Sequence, residues 1–255
     1  MTSPLNQFRL DGEVAVVTGA SRGLGAAIAV GLAGAGADVA LLARGDCERA
    51  AAVIRESGRR VLIVPADLGT PGAGTTALAT AANALGPATI LVNNAGIIRR
   101  ADFLDYSRQD WDDVLAVNLD AVFELSQEFA RRCLAAGRRG RIINIASMLS
   151  FQGGIRVAAY TAAKSALLGL TRALANELAP KGINVNAIAP GYMATDNTSA
   201  LRADVARNQA ILERIPAGRW GEAEDLVGAS IFLASPAAAY VHGAVLPVDG
   251  GWLAR

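Results

Sequence analysis

Short apolar runs alternate with longer segments of helical periodicity along almost the whole chain. The runs are rich in Val, Ile, Leu and Ala, as in EVAVVT, DVALLA and GRIINIA. Strands that are buried on both faces of a parallel sheet have this composition. The predicted strands are residues 13–18, 38–43, 60–64, 89–93, 140–146, 184–189 and 244–248.

The segments between these runs predict helices, and their order predicts the fold. Helical patterns cover residues 26–33, 46–56, 75–85, 110–136, 159 onward, 203–215 and 222–233, with 110–136 as one long amphipathic helix. Strands that alternate with helices favour a parallel sheet. We therefore predict an α/β fold: a doubly wound, Rossmann-like sheet of seven strands flanked by helices. We expect a single domain with its core at about residues 10–251.

Composition and charge narrow the class of protein. With 52% hydrophobic and 18% charged residues, the chain of 255 residues can bury a large core. The net charge of +1 predicts neither a nucleic-acid partner nor an anionic membrane partner. No run approaches the roughly eighteen apolar residues of a membrane span. The N-terminus lacks the apolar segment of a secretory signal, so we expect a cytoplasmic protein.

Metal and disulfide chemistry are not expected. The two cysteines, Cys47 and Cys133, have no metal-ligand spacing, and His242 has no second ligand or base beside it in the sequence.

A glycine-rich segment, GASRGLG, joins the first predicted strand to the first helix. Gly19, Gly23 and Gly25 allow a pyrophosphate to approach the backbone N–H groups at a helix N-terminus. Asp38 has the sequence distance of a ribose-binding acid but lies at the start of its strand, away from the ligand edge. Arg22 and Arg44 favour a 2′-phosphate, although both arginines could instead be solvated or stack on adenine.

Asp67 follows the third strand. It is placed either to bind the adenine amino group or to end the strand as a turn or helix-capping residue.

The segment SMLSFQGGIRVAAYTAAK combines three groups suited to proton transfer. Tyr160 and Lys164 are one helical turn apart, and an ammonium group beside a phenol lowers the pKa of the phenol. Ser147 could hold a carbonyl or alcohol oxygen opposite Tyr160. These groups cannot carry a hydride, so a nicotinamide cofactor is required. Asn118, inside the long predicted helix, is interpreted as a core amide bonded to backbone.

The motifs TGASRGLG, NNAG, VLAVNL, YTAAK and PGYMAT, in this order and with Ser147 thirteen positions before Tyr160, resemble the short-chain dehydrogenases/reductases. The resemblance implies a catalytic tetrad of Asn118, Ser147, Tyr160 and Lys164, in which Tyr160 is the acid/base and Asn118 holds a relay water. It implies that Lys164 binds the nicotinamide ribose and lowers the pKa of Tyr160. The cofactor residues implied by the resemblance or by local chemistry are Gly19, Ser21, Arg22, Gly23, Leu24, Gly25, Arg44, Asp67, Leu68, Asn94, Ala95, Gly96, Tyr160, Lys164, Pro190, Gly191, Met193 and Thr195.

A narrower resemblance points to enzymes of sugar acids within this family. NNAGIIRRADF, INIASMLSFQGGIRV, RIPAGRWG and VDGGWLAR are similar to the 2-deoxy-D-gluconate 3-dehydrogenases, also described as 2-dehydro-3-deoxy-D-gluconate 5-dehydrogenases. That group is usually NAD-linked, whereas the arginines favour NADP, so NAD(P)(H) is the expected cofactor. Arg156 and Arg99 are candidate substrate residues because an arginine can bind a carboxylate. Met148 is the third candidate. Arg100 and Arg219 are further candidates, and all four arginines could instead be surface or subunit contacts.

Two other functions stay open at the level of sequence. One is a 3-oxoacyl thioester reductase acting on an acyl carrier protein; the other is a non-catalytic protein that senses the cofactor. The resemblance also implies a homotetramer, in which the helices at 110–136 and after 159 contact partner subunits.

Overall fold

Seven parallel strands form one sheet in a computed structural model that describes residues 3–255. The strand order is β3-β2-β1-β4-β5-β6-β7, which confirms the predicted doubly wound sheet. The strands are β1 Val14–Thr18, β2 Asp38–Ala43, β3 Val61–Pro65, β4 Ile90–Asn93, β5 Gly140–Ile145, β6 Ile183–Pro190 and β7 Val245–Val248.

The strand order reverses between β1 and β4, and this point fixes the position of the ligand crevice. The chain builds outward from β1 to β3, then returns to place β4 on the other side of β1. The connections that leave β1 and β4 therefore diverge to opposite faces of the sheet and open a crevice at the carboxyl ends of the strands.

Helices cover both faces of the sheet because each strand contributes apolar side chains to both sides. The helices are α1 Gly23–Gly34, α2 Glu48–Glu56, α3 Ala73–Leu85, α4 Arg108–Leu115, α5 Ala121–Ala135, α6 Ala158–Leu178, α7 Ser199–Ala203, α8 Val205–Arg214 and α9 Val227–Ala234. One core lies under α1, α2 and α9, with Ile28, Leu32 and Ile54 fully or almost fully buried. The other lies under α3, α5 and α6, with Leu78, Leu125 and Phe129 buried.

The prediction of one regular helix over 110–136 was wrong in one respect. α4 and α5 are joined by a π-helical segment, Ala116–Asp120, so the helical run continues through a wider turn that contains an extra residue. Asn118 lies at the centre of this segment and is fully buried. The helix predicted over about 203–215 is confirmed as α8, whereas the short helix α7 before it was not predicted; Asp204 separates the two and caps α8 through its carboxylate.

A third apolar cluster lies beyond the carboxyl edge of the sheet, under α8 and the C-terminus. It contains Met148, Ile211, Trp220 and Trp252. Tyr192 packs edge-on against both tryptophans. The cluster packs against α7 and α8 through Leu201, Ile211 and Leu212, next to the cavity-lining segment 193–198.

No helix within residues 3–255 is long and apolar enough to span a bilayer.

Candidate active site

A cavity of about 860 Å³ occupies the crevice at the carboxyl ends of the strands. It extends from the glycine loop after β1, past the ends of β2 and β4, to Ser147 after β5 and the residues that follow β6. Every residue predicted to bind the cofactor lines this cavity, from Gly19 to Thr195.

The glycine loop is packed too tightly for side chains. Gly19 has φ +65°, and a Cβ on Gly25 would lie 2.3 Å from the carbonyl oxygen of Gly19 and 2.4 Å from Nδ2 of Asn94. Asn94 holds the loop from behind, because its Nδ2 donates to the carbonyl oxygens of Thr18 and Gly19.

The first turn of α1 fits a pyrophosphate. Arg22, the N-cap residue of α1, makes no side-chain capping bond. The N–H groups of the first turn therefore have no side-chain acceptor, and together with the helix dipole they suit an anion in the cavity.

The far end of the cavity, beyond β2 and β3, is lined by charged residues. Arg44 lies 3.8 Å from the carboxylate of Asp67 at this end, whereas Arg22, in the glycine loop, lies 3.2 Å from that of Asp196, which follows β6. Asp67 also accepts a bond from the backbone N–H of Gly69, so it ends a turn and lines the cavity at once. An adenosine moiety therefore fits here with cations and a carboxylate within reach.

Asp38 has a structural role. Its carboxylate accepts bonds from the backbone N–H of Arg60 at 2.9 Å and from Nε of Arg60 at 2.8 Å, at the opposite end of β2 from the cavity.

Ser147, Tyr160 and Lys164 meet at the inner end of the cavity. Ser147 is carried there by β5, and α6 carries Tyr160 and Lys164 one turn apart. Nζ of Lys164 is 5.7 Å from the centroid of the Tyr160 ring and donates to the carbonyl oxygen of Ile145 at 2.5 Å. A phenol, a hydroxyl and an amine therefore face the same space, as proton transfer requires.

The pKa of Tyr160 is raised above its ordinary value in this structure. Burial raises the pKa of Tyr160, whereas the Ser147 hydroxyl and the charge of Arg100 lower it. Burial also lowers the pKa of Lys164 to about 8. The lowered pKa of Tyr160 predicted from the spacing needs correction, because burial outweighs the charged and polar groups around the phenol.

Asn118 lies behind the cavity wall and holds the segment that follows NNAG. Its Oδ1 accepts from the N–H of Ile97 at 2.8 Å, and its Nδ2 donates to the carbonyl oxygen of Ile97 at 3.0 Å. The interpretation of Asn118 as a core amide bonded to backbone describes this geometry. Through Gly96 and Ile97, which both line the cavity, Asn118 fixes the wall near Tyr160.

The predicted substrate residues lie outside the cavity wall. Arg156 is the one non-glycine residue in 3–255 with positive φ, at 66°, and its side chain pairs with Asp102 at 3.2 Å. Arg99 pairs with Asp110 and Asp113, and Met148 is buried in the cluster with Trp252. None of the three is among the residues that line the cavity in the described part of the chain.

Arg100 does not line the cavity either, but it contacts a residue that does. Its guanidinium donates to the carbonyl oxygen of Asn197, a cavity residue, at 3.2 Å, and its charge lowers the pKa of Tyr160. Arg219 instead forms a two-pronged pair with Asp225, at 2.7 and 2.9 Å.

The structure adds cavity residues that the sequence reasoning missed. Arg49 and Asp46 line the adenosine end, and Ile98 and Asn197 line the inner half. The position of Arg49 in the cavity could have been predicted from the sequence. Arg49 stands in the first turn of the helix after β2, so its side chain returns to the strand ends.

Comparison with known proteins gives matches over the whole fold. A family model described as enoyl-(acyl carrier protein) reductase matches residues 19–253. A 2-dehydro-3-deoxy-D-gluconate 5-dehydrogenase from Dickeya dadantii is 53% identical over 251 residues, which covers 98% of this chain and 99% of the relative.

Two crystal structures also match this chain over nearly its full length. One, from Agrobacterium tumefaciens, is described as a candidate 2-deoxy-D-gluconate 3-dehydrogenase with bound NADP; it is 58% identical, with a TM-score of 0.93 over 98% of this chain and 100% of that one. The other is a gluconate 5-dehydrogenase from Burkholderia cenocepacia in complex with NADP and tartrate. It is 40% identical, with a TM-score of 0.93 over 99% of this chain and 100% of that one.

Proposed function

Because the chain belongs to the short-chain dehydrogenase/reductase family, we propose that its cavity joins a nicotinamide cofactor to a sugar acid. The protein is an NAD(P)-dependent oxidoreductase that transfers a hydride between the cofactor and a secondary alcohol or ketone of the acid. The observation that carries this proposal is the meeting of Ser147, Tyr160 and Lys164 at the inner end of a cavity whose outer part fits a dinucleotide.

The substrate class follows from the relatives. Their names give 2-dehydro-3-deoxy-D-gluconate, 2-deoxy-D-gluconate and gluconate, which all combine a carboxylate with secondary alcohols or a ketone on a six-carbon chain. We propose a deoxy-hexonate of the first or second kind as the substrate of this chain.

NADP(H) is the form of the cofactor that we propose. Arg44 and Arg49 line the adenosine end and Arg22 the glycine loop, and a 2′-phosphate carries nearly two negative charges that need cations. The solved relatives described above carry NADP. Against the NAD linkage expected from the narrower resemblance, β2 ends in Ala43 followed by Arg44, Asp38 pairs with Arg60, and Asp46, three positions beyond the strand, accepts from the backbone N–H of Glu48.

Proton transfer is assigned to Tyr160. In the oxidation direction its phenolate takes the proton of the substrate hydroxyl while Ser147 holds the same oxygen. A bound nicotinamide supplies the hydride acceptor, or the donor in the reverse direction. Lys164 binds the ribose of the cofactor, and Asn118 keeps the Gly96–Ile97 wall in place and holds a relay water.

Arg100 is proposed to bind the carboxylate of the substrate. Its guanidinium is exposed and donates to the carbonyl oxygen of Asn197, a cavity residue, and its charge lowers the pKa of Tyr160, which supports a carboxylate site at this edge of the cavity. Arg156 supports Arg100 indirectly: its carbonyl oxygen accepts from the N–H of Ala101, and its side chain pairs with Asp102.

A homotetramer is proposed for the assembly. Phe123 and Leu134 are 47% and 44% exposed and are eleven positions apart, so they lie on one face of α5. Ala166, Gly169 and Ala173 are exposed on α6 and would let a neighbouring helix approach closely. Partner subunits would cover both helices.

Steady-state assays test the function. Each of NADP(H) and NAD(H) is combined with 2-dehydro-3-deoxy-D-gluconate, 2-deoxy-D-gluconate, gluconate and a 3-oxoacyl thioester. We expect turnover with at least one deoxy-hexonate pair and none with the thioester. Turnover of the thioester alone favours the acyl-reductase alternative, and cofactor binding without any turnover favours a cofactor-sensing protein.

A further inference from the structure

Ser147 lies beyond the part of β5 that the sheet holds in place. The backbone N–H of Ala146 still donates to β6, at the carbonyl oxygen of Ile188, 2.8 Å away. From Ser147 to Ser150, no backbone N–H bonds to β6 within residues 3–255. This segment forms a 3₁₀ turn of its own, in which the N–H of Ser150 donates to the carbonyl oxygen of Ser147 at 2.9 Å. The position of Ser147 relative to Tyr160 therefore depends on contacts outside the sheet.

Ser150 connects this turn to α6. Its hydroxyl donates to the backbone carbonyl oxygen of Lys164 at 2.6 Å, across fourteen positions of the chain. A backbone carbonyl has two lone pairs, so this oxygen can accept from Ser150 and still accept a bond within the helix. The distance is that of a well-formed O–H···O bond. The bond joins the turn that carries Ser147 to the helix that carries Tyr160.

Lys164 also holds the chain before Ser147. Its Nζ donates to the carbonyl oxygen of Ile145, two positions ahead of the serine, at 2.5 Å. One residue of α6 is thus bonded to the chain on both sides of Ser147, through its side chain before the serine and through its backbone after it.

Ser150 stands outside the cavity, whereas Ser147, Tyr160 and Lys164 line it. An effect of Ser150 on the reaction therefore has to pass through these residues. Met148, in the middle of the turn, is buried in the cluster with Trp252. Loss of the Ser150 hydroxyl should therefore loosen the turn without unfolding it.

We propose that Ser150 is a positioning residue, whose bond to the backbone of Lys164 keeps the Ser147 hydroxyl facing the Tyr160 phenol. The inference rests on the proposed function and adds a residue outside the tetrad to it. A misplacement of about 1 Å between reacting groups can slow a reaction by about a hundredfold. The Ser147 hydroxyl also lowers the pKa of Tyr160, so displacement of Ser147 leaves that pKa higher.

Steady-state kinetics across pH test this inference in Ser150→Ala and Ser150→Thr. Ser230→Ala is the matched control. Ser230 is a buried serine of α9 whose hydroxyl also donates to a backbone carbonyl oxygen, that of Leu226 at 2.9 Å, and it lies outside the cavity.

Ser150→Ala should lower kcat by about tenfold or more and leave KM and the Kd of NADP⁺ within about twofold of the wild type. Its pH profile of kcat for oxidation should move to higher pH, because the phenolate of Tyr160 forms at higher pH. Ser150→Thr keeps the hydroxyl and should recover most of kcat. Ser230→Ala should match the wild type in kcat and in pH profile.

Titration of Tyr160 in the cofactor-free protein gives a readout that needs no turnover. The tyrosinate absorbance of each protein is compared with that of the same protein carrying Tyr160→Phe. Ser150→Ala should move the titration of Tyr160 to higher pH, and Ser230→Ala should not.

A purely structural role of Ser150 predicts lower thermal stability with no change in the pH profile or in the titration of Tyr160, and that result would overturn the inference. Wild-type kcat in Ser150→Ala would overturn it as well. A wild type without turnover would instead contradict the proposed function, and the titration of Tyr160 would then decide the role of Ser150.

Discussion

Two neighbouring arginines, Arg99 and Arg100, have different surroundings in the structure. Arg99 is held by Asp110 and Asp113, whereas Arg100 acts on Tyr160 and contacts the backbone of a cavity residue. Arg100 is therefore the candidate for substrate binding, and the adjacent Arg99 is its control.

Arg100→Gln should raise KM for the sugar acid by roughly 10- to 100-fold, since a bond to a charged carboxylate contributes about 1.5–3 kcal/mol. Because Arg100 lowers the pKa of Tyr160, the pH profile of kcat for oxidation should also shift to higher pH. Steady-state kinetics across pH measure both effects.

Arg99→Gln is the matched control and should leave KM and the pH profile near those of the wild type. Equal losses in the two variants would remove Arg100 from the carboxylate site.

Lys164 gives a pH-dependent contribution to stability. Its pKa is about 8 in the folded protein and 10.5 without burial. Below both values Lys164 is protonated in the folded and unfolded states, and the full cost of burying the charge is present. Between them the unfolded state binds more protons, so stability rises with pH.

The free energy of unfolding of the wild type, relative to Lys164→Met, should therefore increase by roughly 3 kcal/mol between about pH 7 and pH 10. Lys164→Met also loses the hydrogen bond from Nζ to the carbonyl oxygen of Ile145, and this loss changes the free energy of unfolding by the same amount at both pH values. Urea unfolding of both proteins at the two pH values measures the difference. A difference that is flat or falls with pH would show that Lys164 is not held in a dry site.

At the scale of elements, two glycines of α1 differ in the space around them. Gly25 has no room for a Cβ, whereas a Cβ on Gly34, at the end of the same helix, would have nothing within 4 Å. Gly25 is therefore needed for the close packing of the loop and not for its effect on helix propensity.

Gly25→Ala should destabilise the fold by about 1–3 kcal/mol through overpacking and should weaken dinucleotide binding. Gly34→Ala should leave binding unchanged and be neutral or stabilising by up to about 1 kcal/mol. Thermal unfolding and cofactor titration report the two effects. Wild-type binding by Gly25→Ala would mean that the loop relaxes and does not need this glycine.

The strands and most helices were predictable because buried apolar runs carry a strong periodic signal. The strand β2 was predicted with the bounds that the structure has, 38–43. The π-helical segment at Asn118 was not predicted, because a single widened turn hardly changes the spacing of apolar residues over twenty-seven positions.

The cavity residues were predictable where backbone geometry requires a residue type, as at Gly19 and Gly25. The arginines were not, because long side chains choose partners from other segments of the chain. The sequence contains Arg156 and Asp102 but does not reveal that they pair across two loops. Arg100 became the better candidate only once those partners were known.

At the scale of the whole molecule, the face of α5 that carries Phe123 tests the assembly. Phe123→Glu should convert the proposed tetramer to a smaller species, because a buried unpaired charge is costly at an interface. Val205→Glu is the control, since Val205 is 83% exposed at the start of α8, on a different element. Sedimentation velocity measures the species. A wild type that sediments as a monomer would contradict the assembly.

The account as a whole depends on Tyr160 transferring a proton while the cofactor exchanges a hydride. Tyr160→Phe keeps the ring and removes the hydroxyl, so it separates chemistry from binding. The most direct measurement is single-turnover reduction of NADP⁺ by 2-dehydro-3-deoxy-D-gluconate, followed in parallel with NADP⁺ binding. Tyr160→Phe should bind NADP⁺ within about twofold of the wild type and lose at least about a hundredfold in turnover. Turnover by the variant at the wild-type rate would contradict the account.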